Sequence, residues 1–243
     1  MDPDISVLIP AFNEEAHLGQ AIESVRRSFE SVGRNSYEIV ACDNNSTDLT
    51  AEVARSNDAR VVFEPHNQIA RARNAAAKAS LGKWLIFLDA DTQMNAEVLR
   101  QTMSNFESGK VGAGGAVVTM DEEVSLGARW FVALWNQVSI RFRLAAGSYI
   151  YCLREAWSDT GGFDERYYAS EEIWFSRKLH AWCRGRGLEF RVIGNPPIVT
   201  SARKLKWFSK WQLWKQFFRC MDFRSMRDRK KCPMWYERPG KKL

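Results

Sequence analysis

Two aspartates one residue apart, Asp89 and Asp91, directly follow the apolar run Trp84–Leu88. Five consecutive apolar residues are typical of a strand buried on both faces, as in a parallel sheet. In an open α/β sheet, ligands bind outside the carboxyl ends of the strands, which is where these two carboxylates would lie. Carboxylates at this spacing can share a hard divalent cation, which takes its other ligands from water and substrate phosphates. The pair therefore predicts a metal site, although Asp and Thr are also ordinary turn residues.

Strand and helix patterns alternate along the chain on both sides of this pair. We predict strands near residues 5–10, 37–42, 60–63, 84–88 and 111–120. The first helix is predicted over residues 13–32, and the second starts after Ser46 or Thr47 and ends at about residue 56. A third is predicted over 68–79, and a fourth starts at residue 95. The expected N-cap of the first helix is Asn13, and that of the second is Ser46 or Thr47. This alternation favours an α/β fold with a mostly parallel sheet covered by helices on both faces.

The pattern becomes mixed after residue 123. We predict an irregular helix at 124–144, a short strand at 148–153 and a turn at 161–164. A second helix at 171–182 and two late strands at 188–192 and 198–200 follow. No linker or repeat interrupts this region, so residues 1–204 are expected to form one domain. Residues 205–243, here called the basic tail, follow it.

Composition and cysteine usage are those of an intracellular enzyme. The 243 residues are 45% hydrophobic, which is enough for one large core. The five cysteines are scattered and odd in number, so we expect reduced thiols rather than disulfides or a zinc site. The sequence has neither a signal-peptide pattern nor an apolar run of about 18 residues, which predicts a cytoplasmic location.

The basic tail differs from the rest of the chain in charge and in aromatic content. From Thr200 onward there are 14 Lys and Arg residues against 3 Asp and Glu. Large apolar residues recur there at helical spacing: Trp207, Trp211, Trp214, Phe218 and Met221. Such a helix suits contact with an anionic membrane surface, which would place the protein at the inner face of the membrane. Packing on the domain or in a homodimer is the alternative, and nucleic-acid binding lacks a recognition motif.

Acidic and small-residue motifs follow the predicted strands in a fixed order. They are residues 10–15 (PAFNEE), 43–48 (DNNSTD), 89–91 (DAD), 161–165 (GGFDE) and 171–172 (EE). This ordered set resembles the family 2 glycosyltransferases of the GT-A fold over residues 5–204. The resemblance implies a Rossmann-like donor half to about residue 120 and an acceptor half over 121–204. It also implies inverting transfer of a sugar from a nucleotide-diphosphate donor, with a UDP-sugar favoured, to the hydroxyl of a glycan, lipid-linked or small-molecule acceptor.

The resemblance assigns the donor to residues of the first half and to one late arginine. Those implied to contact the donor are Pro10, Ala11, Glu14, Asp43, Arg73, Asn74, Asp89, Ala90 and Arg203. Among them, Glu14 would accept from the ribose hydroxyls, and Asp43 from the uracil ring. Asn45 stands where the family commonly has glycine, and asparagine tolerates the left-handed conformation expected there. A role for Arg71 is left open, since it points away from Arg73 on the helix.

The same resemblance assigns the metal and the base. Asp91, assisted by Asp89, would hold Mg²⁺ or Mn²⁺ against the diphosphate. The base would be Glu172, where the family has aspartate, although Glu171 remains an alternative.

Small or aromatic residues are implied to line the sugar and acceptor pocket. The small ones are Gly114, Gly115 and residues 146–148, where a larger side chain would obstruct a ligand. Trp174 and Phe175 could stack on a sugar ring or pack in the core.

Two other functions were compared with this one. A sugar-nucleotide pyrophosphorylase would carry a Gly-x-Gly-x-Arg loop after the first strand, whereas residues 10–13 read PAFN. A non-catalytic nucleotide-sugar binding protein would be expected to lose its acids, and Asp89, Asp91, Glu171 and Glu172 are all present.

Overall fold

Eight β-strands form one sheet in the order β3-β2-β1-β4-β7-β6-β8-β5. The computed structural model describes residues 2–203, 225–232 and 236, so the predicted stripe of the basic tail lies outside the described residues. The strands are β1 (Ile5–Ala11), β2 (Tyr37–Asp43), β3 (Arg60–Phe63), β4 (Trp84–Leu88), β5 (Thr92–Gln93), β6 (Val111–Met120), β7 (Tyr149–Leu153) and β8 (Glu189–Thr200). The helices are α1 (Leu18–Ser31), α2 (Thr50–Ser56), α3 (Ile69–Ala79), α4 (Ala96–Glu107), α5 (Leu126–Phe142), α6 (Arg154–Asp159) and α7 (Glu171–Gly185).

Most strands run in one direction, which confirms the predicted α/β fold with a mostly parallel sheet. β1 pairs in parallel with β2 and β4, and β2 pairs in parallel with β3. β7 lies antiparallel between β4 and β6, whereas β6 and β8 are parallel. The short β5 runs antiparallel to β8. The loops after β1, β2 and β4 therefore leave the sheet at the same edge.

The central strands are buried on both faces, as their apolar runs predicted. Along β1, Val7 and Ile9 pack with residues of α1 and α4, whereas Leu8 packs with the alanines of α3. Alternate side chains of a strand point to opposite faces, so this division follows from helices covering both sides of the sheet. The core thereby fixes the positions at which β1 and β4 end.

Two predicted helix caps are wrong, because contacts between loops replace them. α1 begins at Leu18, and Asn13 lies before it in a left-handed conformation with φ 53°. The Asn13 side chain accepts from the backbone N–H of Thr47 at 2.8 Å, and the backbone N–H of Asn13 donates to Ser46 Oγ at 3.0 Å. These residues join the loops after β1 and β2 and leave the helix starts to other residues.

Other local predictions are confirmed. Asn45 has φ 64°, the left-handed conformation expected at a glycine-like position. Asn95 caps α4 by accepting from the backbone N–H of Val98 at 2.8 Å. The two late strands predicted at 188–192 and 198–200 are instead one strand, β8, because its pairing with β6 resumes after an irregularity between Ile193 and Ile198.

The described residues also include four cysteines and the helices in which a membrane span could lie. The cysteines among them carry free thiols, as expected, and all are buried: Cys42, Cys152, Cys183 and Cys232. No helix within residues 2–203, 225–232 and 236 is long and apolar enough to span a bilayer.

Candidate active site

Arg203 joins two acidic side chains that the sequence assigns to donor and metal binding. Its Nη2 donates to both carboxylate oxygens of Glu14 and, at 3.0 Å, to Asp91 Oδ2. The exposed fraction of the side chain is 14% for Arg203, 7% for Glu14 and 5% for Asp91. Glu14 is held in turn by its backbone N–H, which donates to Thr50 Oγ1 at 2.8 Å. Three segments that are distant in sequence thus converge on one guanidinium.

A second arginine, Arg73 of α3, organises the neighbouring cluster. Its Nη1 donates to Glu171 Oε1 at 2.5 Å, and its Nη2 donates to Asp89 Oδ1 and to the carbonyl of Gly147, both at 2.8 Å. The Arg73 side chain is only 1% exposed. Burial opposes its charge, but Asp89, Glu171 and Glu172 outweigh burial and raise the pKa of the guanidinium. Arg73 is therefore a charged group that holds the first aspartate of the DAD motif against the start of α7.

The two adjacent glutamates of α7 have different environments. Glu171 is buried and paired with Arg73. Glu172 is partly exposed, and its carboxyl carbon lies 3.7 Å from the position that a Cβ on Gly147 would take. Although the residue as a whole is partly exposed, its carboxyl group is enclosed, and this burial, followed by the charge of Glu171, raises the pKa of the Glu172 carboxyl to about 8. A carboxyl with a raised pKa beside a small residue has the properties of a general acid or base.

The charged groups around these residues are mostly acidic. Two guanidinium groups face five carboxyl groups, namely those of Glu14, Asp89, Asp91, Glu171 and Glu172. The residues described contain no group of three or more His, Cys, Asp or Glu side chains arranged to hold a metal. Asp91 and Glu14 nevertheless both reach one nitrogen of Arg203, so their oxygens surround a position suited to a positive charge. Carboxylate oxygens are also the ligands that Mg²⁺ and Mn²⁺ prefer.

A cavity opens beside these clusters at the carboxyl edge of the sheet. It is lined by Pro10, Ala11, Phe12, Glu14, Asn44, Asn67, Ile69, Ala72, Asp89, Ala90, Asp91 and Tyr236. Six of the residues predicted to contact a donor or metal are among them, which supports their grouping into one site. Tyr236, from the C-terminal part of the chain, is also part of the lining, so the cavity is not built from the first half of the chain alone.

Other predicted donor residues lie outside the described lining of this cavity. Asp43 accepts from the backbone N–H of Ser46 at 3.0 Å. The side chain of Asn74 donates to the carbonyl of Phe163 at 2.9 Å and accepts from its N–H at 3.0 Å. Asn74 thus holds the turn before α7, and contact of Asp43, Arg73 or Asn74 with a donor stays a prediction.

The small residues predicted to line the sugar pocket fall into two groups. A Cβ at Gly114 would lie 1.9 Å from the Arg191 carbonyl, and one at Gly115 would lie 2.5 Å from Ala145 Cβ. These two glycines therefore allow β6 to pack closely within the sheet. A Cβ at Gly147 would lie 3.2 Å from Arg73 Nη2 and close to Glu172, so Gly147 borders the charged cluster.

The aromatic pair that follows the two glutamates packs against protein. Phe175 is fully buried in the core, with its ring centroid 4.1 Å from that of Phe163. Trp174 stacks on Tyr167 at 5.5 Å. Phe175 therefore packs in the core, whereas Trp174 is partly exposed and packs against Tyr167, and stacking of Trp174 on a sugar stays a prediction.

Six of the twelve described lining residues were not predicted from the sequence, and three of these carry polar groups: Asn44, Asn67 and Tyr236. Asn44 donates to the carbonyls of Glu64 and His66 at 3.1 and 2.6 Å, and thereby fixes the loop before α3. Asn67 donates to the Asn44 carbonyl at 2.9 Å. Asn44 belongs to the DNNSTD motif and could have been identified from it, whereas neither Asn67 nor Tyr236 lies in a recognisable pattern.

Comparisons with known proteins agree with this arrangement. Residues 6–150 match the sequence profile of Glycosyl transferase family 2. Glycosyltransferase AglE of Haloferax volcanii is 29% identical over 122 residues, which are 48% of this chain and 40% of that protein. An uncharacterized glycosyltransferase of Rickettsia typhi is 30% identical over 94 residues, 39% of this chain and 30% of the relative. The chain therefore matches less than half the length of either relative.

Solved structures share the architecture. The mannosyltransferase PcManGT from Pyrobaculum calidifontis, in complex with GDP-Man and Mn²⁺, superposes with a TM-score of 0.69 at 19% identity, over 96% of this chain and 65% of that one. TarS of S. aureus in complex with UDP-GlcNAc gives 0.62 at 19% identity, over 84% and 59% of the two chains. With the profile match covering more than half of the sequence, the chain belongs to glycosyl transferase family 2 and has the GT-A fold.

Proposed function

We propose that this glycosyltransferase uses Mg²⁺ or Mn²⁺ to transfer a sugar, with inversion, from a UDP-sugar to an acceptor hydroxyl. One observation carries the proposal: the Arg73 guanidinium contacts both Asp89 and Glu171. Asp89 belongs to the candidate metal motif, and Glu171 precedes the candidate base. One buried side chain therefore holds the candidate metal motif and the segment that carries the candidate base next to each other.

The leaving group is assigned to the Asp91 side of the cavity. A diphosphate entering a site with more carboxylates than guanidinium groups needs an additional positive charge. Asp91, with Asp89 beside it, would hold Mg²⁺ or Mn²⁺, and the bound cation would neutralise the charge that develops on the departing diphosphate. Arg203 would contribute a further positive charge beside the phosphates. The solved neighbours in complex with UDP-GlcNAc and with GDP-Man and Mn²⁺ support a nucleotide-sugar donor and a divalent cation.

Glu172 is assigned as the base. Its carboxylate accepts the proton of the acceptor hydroxyl while the acceptor oxygen forms a bond to the anomeric carbon of the sugar. The bond from that carbon to the diphosphate oxygen breaks, and the nucleoside diphosphate leaves with its electron pair. Entry opposite the leaving group inverts the anomeric centre. Glu171 is less suited to this role because it is buried against Arg73.

A thermal-shift panel of UDP- and GDP-sugars, each with and without Mn²⁺, tests the donor and the metal. A ligand that binds only the folded protein raises the melting temperature, so we expect a rise with a UDP-sugar that depends on Mn²⁺. Asp91→Asn should abolish that dependence, since a neutral amide is a poor ligand for a hard cation. Asp58→Asn is the matched control, because the Asp58 side chain is 88% exposed. No shift with any nucleotide sugar, or an undiminished Mn²⁺ effect in Asp91→Asn, would refute the assignment.

For the basic tail we propose contact with an anionic membrane surface. The support is its excess of basic residues and its Trp and Phe content. Each basic residue near such a surface contributes about 1 kcal/mol. Full-length protein should sediment with anionic liposomes at low salt and remain in the supernatant with neutral ones. A concentration-dependent dimer without liposome binding would favour the homodimer alternative.

A further inference from the structure

The C-terminal residues that the structure describes pack against the loop before α7. The backbone N–H of Tyr168 donates to the Met226 carbonyl at 2.8 Å. Met226 and Cys232 are fully buried in a small apolar cluster with Tyr167 and Ala169. Burial of this extent, together with a backbone hydrogen bond, gives the segment a defined place on the domain.

Tyr236 belongs to the same cluster and reaches the cavity. Its side chain is 6% exposed, and its hydroxyl donates to the Tyr168 carbonyl at 2.8 Å. The ring meets that of Tyr168 edge-on, with centroids 5.8 Å apart. The backbone of Ile69, at the start of α3, lies beside the same hydroxyl. Tyr236 is thus fixed between a helix of the first half and a loop of the second.

Arg229 provides another contact between this segment and the cavity. Its Nη2 donates to Asn67 Oδ1 at 3.2 Å, and its guanidinium carbon lies 5.3 Å from the centroid of the Tyr236 ring. Asn67 lines the cavity and donates to Asn44, the residue after the predicted base-contacting Asp43. The contacts of Tyr236 therefore lie on the side of the cavity formed by the loops after β2 and β3.

We infer that Tyr236 is a positioning residue that forms the wall against which the nucleoside of the donor packs. The inference rests on the proposed function and adds a residue from the C-terminal segment to the donor site. Tyr236 lines the cavity together with the apolar residues Ile69 and Ala72 and with Pro10 and Ala11 of the loop after β1. Aromatic rings bind planar bases through stacking, as in proteins that bind single-stranded nucleic acids.

Calorimetric titration of the full-length protein with UDP, and in parallel with GDP, in the presence of Mn²⁺ tests the role of the ring. Tyr236→Ala should raise the Kd of the preferred nucleotide by about tenfold, in keeping with the loss of one stacking contact. Tyr236→Phe keeps the ring and loses the hydroxyl, so its Kd should stay within about threefold of the wild-type value. Lys230→Ala is the control, because Lys230 is an exposed residue of the same segment.

Titration with pyrophosphate and Mn²⁺ separates a contact with the nucleoside from general disruption of the site. Tyr236→Ala should bind pyrophosphate as wild type does, since pyrophosphate has no nucleoside. An unchanged nucleotide Kd in Tyr236→Ala, or equal losses for nucleotide and pyrophosphate, would overturn the inference alone. Wild-type protein that binds neither UDP nor GDP would overturn the proposed function and the inference with it.

Discussion

Nη2 of Arg203 lies 3.0 Å from Oδ2 of Asp91 and also contacts the carboxylate of Glu14. The guanidinium therefore stands beside the carboxylate that is proposed to bind the metal. A cation bound to Asp91 has to compete with this ion pair, because both require the same negatively charged oxygens.

Replacing Arg203 should consequently strengthen the binding of Mn²⁺ in the absence of nucleotide. A hydrogen bond to a charged group contributes about 1.5–3 kcal/mol, so Arg203→Ala should lower the Kd of Mn²⁺ by about tenfold. Electron paramagnetic resonance of free Mn²⁺ during a titration measures this directly. The affinity for UDP with Mn²⁺ should fall in the same variant, since a positive charge beside the phosphates is lost. Weaker Mn²⁺ binding in Arg203→Ala would contradict the competition.

Exchanging the carboxyl of Glu172 for an amide should separate binding from catalysis. Glu172→Gln should keep the affinity for UDP and lower the rate of donor hydrolysis by about 100-fold, the usual effect of losing a general base. Slow hydrolysis, with water as acceptor, can be followed by release of UDP. Glu171→Gln is the matched variant: normal turnover in Glu172→Gln with loss in Glu171→Gln would exchange the two roles. Activity in both variants would exclude both residues as the base.

The three contacts of Arg73 should make it irreplaceable by lysine. Lysine carries the charge but lacks the planar fork that reaches Asp89, Glu171 and Gly147 together. Breaking a buried ion pair costs about 3–5 kcal/mol, so Arg73→Lys should lower the free energy of unfolding by an amount approaching that range. Urea denaturation provides the measurement. Arg71→Lys, at a side chain 37% exposed, should change stability by less than about 1 kcal/mol.

The raised pKa of Glu172 predicts a pH dependence of turnover. Only the deprotonated carboxyl can act as a base, so the rate of donor hydrolysis should rise with pH and level off above about 8. The folded protein holds this proton at higher pH than the unfolded chain does. The contribution of Glu172 to stability should therefore decrease as pH rises from the ordinary glutamate range toward that value. Glu172→Gln should lose the pH-dependent rise in rate, and a rise that persists in the variant would assign it to another group.

Local sequence patterns were sufficient for β1 to β4 and for the residues at their ends. The apolar run of β4 predicted where Asp89 and Asp91 leave the sheet, because burial on both faces is visible in consecutive apolar residues. The left-handed conformation of Asn45 was also predictable, since it follows from a single residue type at a turn. The roles of the metal and of Glu172 remain predictions.

Features that depend on contacts between distant segments were not predictable. The conformation of Asn13 is set by hydrogen bonds to the loop after β2, and its own sequence favoured a helix cap. Tyr236 reaches the cavity through contacts with Tyr168 and Ile69, which carry no periodic signal. The insertion of β7 between β4 and β6 is likewise a property of strand order, which local patterns do not contain.

The antiparallel register of β4 and β7 places Leu88 opposite Tyr149, so the chain leaves one strand beside the point where it enters the other. The backbone N–H of Asp89 donates to the Ser148 carbonyl, and Arg73 donates to the carbonyl of the preceding residue, Gly147. A ligand that displaces the loop 146–148 would therefore also shift Asp89, which belongs to the proposed metal motif. Substitutions that adapt this loop to a new acceptor should therefore also change the affinity for the donor. The acceptor site and the donor site at this edge of the sheet would have to evolve together.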